Sequence, residues 1–431
     1  MTLAPASSLK IVHNIVNAIN APDFIDSYRQ RPQDFTRKSP LDFQTLCLFI
    51  LNQPQAALTP ELNHFFQMVY QSPLPQAVVT AQAFCQARKK IQPEAFVALN
   101  DQLQQLIDHF HLRRTWRHFR LLAVDGSSVH LPLEKKLERC FGTHDDLPVG
   151  RASVLYDTLG GQVLHSLLVT PDMGERACAA MHLEAAPENS LILYDRGYPS
   201  HWLFALHQQK EVHFVMRLKL THSREVAEFV ASGKQEGMVT LKAGNYLARE
   251  ACEGYGLAPD VSVRVRLIRL TLSSGKTEVL ATSLLNSGEF PAEQFGELYH
   301  QRWGIEVGYR DLKCPLNIEN FSGRSFIAVR QDFYAAQLMK NLASLMCQSQ
   351  QAAIDHQSRD SPLNYKASLS LAISVLRDSW VTLCLNPCIS FMKQVLELIR
   401  KVPNAVRPGR QFTRVRRRPA TRGCEGFKPV R

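Results

Sequence analysis

The chain has 431 residues, 45% of them hydrophobic and 21% charged, which is ordinary for a globular protein of two or three domains. No apolar run reaches the ~20 residues that a membrane span needs, and the amino terminus lacks the basic start and apolar run of a secretion signal. Ten cysteines without a Cys-x-x-Cys pair argue against a disulfide framework and a zinc site. We therefore expect a cytoplasmic protein with no membrane role.

The positive charge is concentrated at the carboxyl end of the chain. The net charge is +11, and residues 400–431 hold eleven basic residues against one acid, so ten of these charges lie there. The densest run is Arg416, Arg417 and Arg418, and prolines interrupt the stretch. This pattern is typical of a flexible arm that gains affinity for nucleic acid by displacing counterions. A tail that only improves solubility is the alternative.

The first 114 residues are predicted to be all-helical. Ser39 and Pro40 open an amphipathic helix that runs to Leu51, with Pro40 in the first turn after a serine cap. A second unit places Arg88 and Lys89 on a basic helix, followed after a short break by another helix over 94–107. This pair resembles a helix-turn-helix that could bind DNA, and generic helical packing with a basic solvated face explains it equally well.

Two apolar strands each lead into an aspartate, and a glycine follows that aspartate within two residues. Residues 121–124 lead into Asp125, and residues 190–194 lead into Asp195. Between them lie a hairpin through the glycine pair at 160–161 and a helix over 174–186. This order of strand, hairpin, helix and strand is that of a ribonuclease-H-like core, and a buried sheet holds such side chains more rigidly than a loop.

The pattern changes after residue 211. Alternating residues over 212–220, 261–272 and 278–285 predict antiparallel strands with one wet face, so we interpret 211–290 as a mainly β insertion. Helices are then predicted from 330 to about 351, and from 368 to about 400 with a break near Pro387.

The most specific pattern is the stretch from Tyr299 to Lys313. On an α-helix, Tyr299, Arg302, Glu306 and Lys313 fall within roughly 60° of one another. Burying these charges unpaired would be costly, so we expect this face to meet a polar partner. Because Lys313 lies about 10 Å beyond Glu306 along the helix, that partner should be long and anionic, such as a DNA backbone, with Glu306 holding a metal ion at one point on it. A solvated helix face with chance spacing is the alternative.

The spacing Tyr-x2-Arg-x3-Glu-x6-Lys resembles the signature of the insertion-sequence-four family of bacterial DDE transposases, including its Arg-Trp pair at 302–303. The resemblance implies that Asp125, Asp195 and Glu306 are catalytic metal ligands and that Tyr299, Arg302 and Lys313 contact DNA. Arg196 follows the second aspartate in the family's Asp-Arg-Gly-Tyr context. The resemblance also implies a β insertion at this place. It leaves open whether the reaction passes through a DNA hairpin.

Phosphodiester cleavage by in-line attack calls for two divalent ions held by convergent carboxylates. Magnesium prefers such oxygen ligands, and we expect Mg²⁺, with Mn²⁺ as a substitute and two ions per site. Other acids lie in predicted loops or within the hairpin, and we interpret them as solvated turn residues: Asp145, Asp146, Asp157, Asp172 and Glu175.

The predicted fold class is α/β, with a ribonuclease-H-like catalytic core that a β-rich segment interrupts. The predicted domains are a helical DNA-binding domain (1–114), the two parts of the core (115–210 and 291–350), the β-rich insertion (211–290), carboxyl-terminal helices (351–402) and a basic tail (403–431).

The predicted function is that of a transposase acting on double-stranded DNA. It would bind the inverted-repeat ends of its own element, cleave them and join the 3′-hydroxyls to target DNA, as a homodimer on paired ends, associating with the nucleoid when bound. Two alternatives remain: a nuclease of the same fold that cuts without joining, and a decayed copy that only binds DNA.

Overall fold

The computed structural model describes residues 4–54, 56–144, 147–272, 275–306, 308 and 319–407. Lys313 and the run Arg416, Arg417 and Arg418 therefore lie outside the described residues. The described chain is mixed α/β, as predicted, with many helices and one large mixed sheet. It divides into two compact units, and each unit is built from separate segments of the sequence. Unit 1 holds residues 1–113, 128–150 and 309–431, and unit 2 holds 114–127 and 151–308.

The helices of the described residues are α1 (Pro5–Asn20), α2 (Pro22–Tyr28), α3 (Phe43–Leu51), α4 (Leu58–Val69), α5 (Ala81–Ala87), α6 (Glu94–His109), α7 (Lys135–Phe141), α8 (Glu175–Glu184), α9 (His201–Gln209), α10 (Arg224–Ala231), α11 (Tyr246–Gly254), α12 (Phe295–His300), α13 (Phe326–Gln357), α14 (Leu369–Leu385) and α15 (Ile389–Lys401). The strands are β1 (Arg120–His130), β2 (Thr143–His144), β3 (Leu147–Asp157), β4 (Gln162–Val169), β5 (Ser190–Tyr194), β6 (His213–Leu218), β7 (Glu236–Lys242), β8 (Ser262–Thr271), β9 (Thr277–Thr282), β10 (Asn364–Lys366) and β11 (Asn404–Val406).

Unit 1 is helical around α13, a helix of 32 residues that packs against α3, α6, α14 and α15. Buried leucines alternate on it with buried polar residues, of which Asn341 donates a hydrogen bond to Asn100 on α6 (2.7 Å). The predicted all-helical character of the first 114 residues is confirmed, as are the two carboxyl-terminal helices with their break near Pro387. In the described ranges, no helix combines the length and the apolar content that crossing a membrane requires.

The start of α3 differs from the prediction. The helix begins at Phe43, and the Asp42 side chain caps it by accepting a hydrogen bond from the Thr45 backbone N–H (2.7 Å). Aspartate is a strong helix cap because its carboxylate satisfies a free N–H at the helix start. Pro40 consequently lies before the helix instead of in its first turn.

Arg88 does not occupy the exposed helical position that the sequence predicted. The helix α5 ends at Ala87, and residues 88–90 form a 3-10 turn. The Arg88 guanidinium is 2% exposed and donates to Asp332 (2.7 Å) and Gln331 (2.8 Å) on α13, and to Ser322 (2.7 Å). Gln331 in turn donates to the Arg88 backbone carbonyl (2.9 Å).

The interpretation of Arg88 as a DNA contact is therefore wrong in this structure, because its guanidinium N–H groups donate to residues inside unit 1. Charge-assisted hydrogen bonds to a carboxylate and an amide stabilise the buried guanidinium, which joins the turn after α5 to α13. The neighbouring Lys89 is exposed, and its amine donates to Gln86 (3.2 Å), near the end of α5. Its contact with DNA stays a prediction.

The sheet of unit 2 carries the strand, hairpin, helix and strand that the sequence predicted. Its strands stand in the order β3, β1, β5, β6, β9, β8, β7, and β4 pairs with the other side of β3. β1, β5 and β6 run parallel to one another. The pairs β3–β4, β6–β9, β9–β8 and β8–β7 are antiparallel. The hairpin turns at 158–161, where Asp157 is buried and accepts from the backbone N–H groups of Leu159 (3.0 Å) and Gly160 (2.6 Å).

The segment 211–290 extends this same sheet. Four strands, β6 to β9, lie in it together with the helices α10 and α11. Arg266 on β8 is buried, although the sequence predicted one wet face for this strand. The guanidinium forms an ion pair with Glu236 on β7 and donates to the Phe290 carbonyl (2.6 Å), which offsets the cost of burying its charge.

Candidate active site

Asp125 and Asp195 lie at the same level on neighbouring parallel strands. Leu121 on β1 pairs with Leu191 on β5, and Ala123 pairs with Leu193. Continuing this register by two residues sets Asp125 beside Asp195. Since parallel strands bring corresponding residues to one edge, the fold brings together the two aspartates that the sequence singled out.

The two aspartates do not both end their strands. Asp195 directly follows the last residue of β5, as predicted, but β1 continues past Asp125 to His130. The Asp-Gly pair does not form a turn here because β1 keeps β3 as its neighbour over this length. Asp125 consequently lies in the middle of an eleven-residue strand.

A backbone N–H from a following glycine holds each carboxylate. Gly126 donates to Asp125 Oδ1 (2.9 Å), and Gly197 donates to Asp195 Oδ1 (2.7 Å). A side chain at residue 197 would place its Cβ 3.0 Å from Asp195 Oδ1. Glycine at this position therefore leaves room for the carboxylate to fold back onto the chain.

Glu306 lies in the same unit, ion-paired to Arg302. Arg302 donates to Glu306 Oε1 (3.2 Å), and its guanidinium lies 5.9 Å from the centre of the Tyr299 ring and 5.7 Å from that of Trp303. The Arg302 side chain is 10% exposed and the Glu306 side chain 35% exposed. Burial strengthens the pair, because the attraction between the charges is less screened there than at the surface.

The stretch from Tyr299 to Glu306 is not one regular α-helix. The helix α12 ends at His300, residues 301–303 form a 3-10 turn, and helical structure resumes at Gly304. Tyr299 is buried, and its hydroxyl donates to the backbone carbonyl of Tyr194 (3.1 Å). The predicted continuous helix is therefore interrupted, and Tyr299 and Arg302 of its polar face both have partners inside unit 2.

Gly304 and Gly308 bring this segment close to the β3–β4 hairpin. A Cβ at Gly308 would come within 2.9 Å of the Tyr156 ring, and one at Gly304 within 3.6 Å of Thr158. The two glycines weaken a helix by about 1 kcal/mol each relative to alanine. The close approach of the hairpin gives a physical reason for their presence.

The charges around Asp125 act on one another. Burial raises the pKa of Asp125 to about 6, the Gly126 hydrogen bond and the charge of Arg302 oppose this rise, and the charges of Asp195 and Glu175 add to it. Burial alone would lower the pKa of Arg302, but Tyr299, Glu306 and Asp125 raise it. Arg302 thus stays charged and links the Asp125 side of the site to Glu306.

Glu175 is a further carboxylate at this site, which the sequence analysis placed among solvated turn residues. It is the first residue of α8, and its two oxygens lie near the glycines that follow the aspartates. Oε1 is 3.6 Å from the position that a Gly126 Cβ would occupy, and Oε2 is 3.9 Å from that of Gly197. Arg176 fixes the start of α8 here by donating to the Gly197 carbonyl (3.0 Å). The position of Glu175 at the start of the helix between the two aspartates was the available signal.

Two other residues of unit 2 have clear positions. Arg196 is exposed beside Asp195, so its side chain is free to meet a ligand. Trp202 stacks on Tyr255, with ring centres 4.2 Å apart and an interplanar angle of 9°. Trp202 is thus a packed aromatic in this structure.

The donor chemistry of the site fits a hard divalent cation, since carboxylate oxygens are the ligands that Mg²⁺ prefers. The carboxylates do not converge fully, however: among the described residues, no three His, Cys, Asp or Glu side chains lie close enough together to hold one metal ion. Glu306 is paired with Arg302 instead. The positive charge of the Arg302 guanidinium therefore offsets part of the negative charge of these carboxylates.

The part of the chain that carries these residues matches a known protein family. The Transposase DDE domain family matches residues 116–342, more than half of the chain and a range that holds Asp125, Asp195 and Glu306. DDE transposases generally depend on divalent metal ions.

The chain is also similar to Transposase InsG for insertion sequence element IS4 of Escherichia coli (strain K12), with 28% identity over 272 residues. The alignment covers 61% of this chain and 60% of that relative. Among solved structures, the piggyBac transposase synaptic complex with hairpin DNA aligns over 95% of this chain and 87% of its own, at 11% identity and a TM-score of 0.45.

The match over residues 116–342 confirms the resemblance that the Tyr-Arg-Glu-Lys spacing indicated, and the chain belongs to the Transposase DDE domain family.

Proposed function

We propose that this chain is a metal-dependent transposase. It binds the inverted-repeat ends of an insertion sequence, cleaves DNA phosphodiesters and joins the freed 3′-hydroxyls to target DNA. The observation that carries the proposal is the placement of Asp125 and Asp195 side by side, within the residues that match the transposase domain. Strand β1, the β3–β4 hairpin, α8 and β5 then form a ribonuclease-H-like catalytic core.

Asp125, Asp195 and Glu306 are the residues that would hold Mg²⁺, with Mn²⁺ as a substitute, and we propose two ions. When bound, such ions supply Lewis-acid chemistry, which activates the attacking oxygen and stabilises the leaving oxygen of the phosphodiester. The backbone N–H groups of Gly126 and Gly197 orient the two aspartates by holding one oxygen of each. To hold a metal ion together with the two aspartates, Glu306 must release its ion pair with Arg302.

Tyr299 and Arg302 support the site from within unit 2. The Tyr299 hydroxyl fixes the carbonyl of Tyr194, the residue directly before Asp195. Arg302 holds Glu306 and offsets the negative charge around Asp125. When Glu306 releases it, the guanidinium is free to pair with a DNA phosphate, as the family resemblance implies.

The remaining DNA contacts are proposed from charge. Arg196 is exposed beside Asp195, and Lys89 is exposed in the 3-10 turn that follows α5. Lys313 and the run Arg416, Arg417 and Arg418 would add contacts with the DNA backbone. Joining two ends of one element calls for two copies of the site, so we propose a homodimer on paired ends.

The test uses purified protein, a labelled fragment with the DNA ends that flank its reading frame, a supercoiled plasmid and Mg²⁺. Glu306→Gln keeps the shape of the side chain and removes its charge, and Glu297→Gln is the matched control because Glu297 is exposed on α12. We expect joined product from the wild type and from Glu297→Gln, and none from Glu306→Gln.

Each other outcome has a distinct meaning. Cleaved ends without joined product would support a nuclease of the same fold. Binding of the ends without any metal-dependent cleavage would support a protein that only binds DNA. Equal activity of Glu306→Gln and the wild type would overturn the assignment of Glu306.

A further inference from the structure

A chain of buried polar side chains runs from Asp125 into the core of unit 2. The Ser153 hydroxyl on β3 lies 3.4 Å from the backbone carbonyl of Asp125 and 2.9 Å from His182 Nε2 on α8. His182 Nδ1 lies 2.9 Å from His165 Nδ1 on β4. Ser153 is 1% exposed and His182 is fully buried.

If Ser153 donates to the Asp125 carbonyl, the directions of the other hydrogen bonds in the chain follow. A backbone carbonyl only accepts, so the single hydroxyl proton of Ser153 points to Asp125. The Ser153 oxygen must then accept from His182 Nε2–H. Because burial lowers the pKa of His182, its ring is neutral and its Nδ1 is an acceptor. His165 must therefore carry its proton on Nδ1.

We propose that Ser153, His182 and His165 are positioning residues for the catalytic aspartate Asp125. This inference rests on the proposed function, which makes Asp125 a metal ligand. The chain joins α8, β3 and β4 to the one aspartate that lies within a strand instead of at its end. It sets the position of the Asp125 backbone, and through it the direction of the carboxylate.

Groups that hold a ligand residue from behind typically change metal affinity or activity by about 10- to 100-fold when removed. Buried hydrogen-bonded chains of this kind act as a unit, because each bond orients the next. The Cys178 thiol on α8 also lies against Ser153, and the charges nearest to it are those of Arg151 and Glu175. The chain itself is made of neutral groups.

The first experiment tests the chain without reference to activity. In protein with ¹⁵N-labelled histidine, long-range ¹H–¹⁵N spectra at pH 7.5 distinguish the two neutral tautomers. Leucine substitutions of His165 and His182 assign the signals. We expect the proton on Nε2 of His182 and on Nδ1 of His165. The opposite tautomer of His182, or a charged ring at either residue, would overturn the proposed chain even if the protein proves to be an active transposase.

The second experiment tests positioning. Single-turnover cleavage of pre-bound ends is compared for Ser153→Ala, His182→Leu, the double variant and His182→Gln, whose amide restores a donor and an acceptor. We expect a rate loss on the order of tenfold for each of the first two, with no further loss in the double variant. His182→Gln should recover most of the rate, and affinity for the DNA ends should stay unchanged in all variants.

The matched control is His213→Leu. His213 on β6 forms a comparable hydrogen bond with Ser283 (3.0 Å) and lies at the opposite end of its strand from the edge that holds the aspartates. We expect this variant to cleave at the wild-type rate despite its lost hydrogen bond. Additive losses in the double variant, or an equal loss in His213→Leu, would show that the histidines act only on folding and would overturn the proposal.

Mn²⁺ binding, followed by electron paramagnetic resonance, separates this inference from the proposed function. If the wild type neither cleaves DNA nor binds Mn²⁺, the proposed function fails, and the positioning role fails with it. If the wild type binds Mn²⁺ without cleaving, weaker binding in Ser153→Ala and His182→Leu still supports positioning, and unchanged binding overturns it.

Discussion

At the scale of single residues, the carboxylates of the site repel one another, and hydrogen-bond donors and a guanidinium reduce this repulsion. Glycine N–H groups hold Asp125 and Asp195, and Arg302 binds Glu306. In the described structure, no hydrogen bond or ion pair engages the Glu175 carboxylate, and its charge contributes to the raised pKa of Asp125. A bound cation would relieve this repulsion.

We predict from this charge balance that Glu175→Gln weakens Mn²⁺ binding several-fold, because it removes one of the charges that attract the cation. Glu188→Gln is the control, since Glu188 is exposed in the loop after α8. A calorimetric titration with Mn²⁺ measures the effect. Equal affinity in the Glu175→Gln variant and the wild type would mean that Glu175 lies outside the metal's influence.

Tyr299→Phe removes the hydrogen bond to the Tyr194 carbonyl and leaves that buried group without its donor. We predict a loss of about 1–3 kcal/mol in the free energy of unfolding, together with slower cleavage because Asp195 follows directly. Tyr246→Phe, at a residue 75% exposed, should change neither quantity. Urea unfolding measures the first quantity. Wild-type stability in Tyr299→Phe would contradict the role of this hydroxyl.

At the scale of elements, long-range partners decide what local patterns leave open. The 3-10 turn at 88–90 is the clearest case: the sequence marks Arg88 and Lys89 alike as basic, and only α13 distinguishes them. Arg88 meets Asp332, Gln331 and Ser322, more than 230 residues away in the chain.

We predict that Arg88→Leu lowers the free energy of unfolding by about 3–5 kcal/mol, because the Asp332 carboxylate loses its buried partner. Lys89→Leu should change it by at most about 0.5 kcal/mol. Chemical unfolding of both variants measures the difference. If Arg88→Leu is as stable as the wild type and only DNA binding is lost, the buried ion pair is not the role of Arg88.

The same contrast explains how much of the fold and the site the sequence could predict. The two aspartates, the hairpin between them and the helix after it follow from apolar runs and glycine pairs, which are local signals. The 3-10 turn at 301–303 and the bond from Tyr299 to Tyr194 depend on packing between distant segments. The sequence analysis missed Glu175 for the same reason. Its position near Gly126 and Gly197 depends on how α8 packs against the strands, which the local sequence does not reveal.

At the scale of the whole molecule, buried neutral histidines make stability depend on pH. His207 is buried, and burial lowers its pKa to about 4. Its Nδ1–H donates to the Val212 carbonyl (2.8 Å), so in the neutral ring Nε2 accepts from the Tyr194 hydroxyl (3.0 Å). Burial also lowers the pKa values of His165 and His182. The unfolded chain therefore binds protons between about pH 6.5 and 4 that the folded chain does not.

We predict that the contribution of His207 to stability is fully present above about pH 6.5 and falls by about 3 kcal/mol as the pH approaches 4. His207→Gln should flatten this dependence, and His64→Gln, at an exposed histidine, should leave it unchanged. Unfolding midpoints at pH 7.5, 6, 5 and 4.5 measure it. The same slope in His207→Gln and the wild type would contradict the assignment.

We propose that Asp195 ligates the catalytic metal directly, and a change of metal preference in a cysteine variant tests this ligation. A cysteine thiolate is a softer ligand that accepts Mn²⁺ more readily than Mg²⁺. Cleavage of the element ends is measured for Asp195→Cys in each metal, beside Asp172→Cys at an exposed acid. We predict that Asp195→Cys is inactive in Mg²⁺ and regains cleavage in Mn²⁺, while Asp172→Cys cleaves in both. Cleavage by Asp195→Cys in Mg²⁺ at the wild-type rate would contradict direct metal ligation by Asp195.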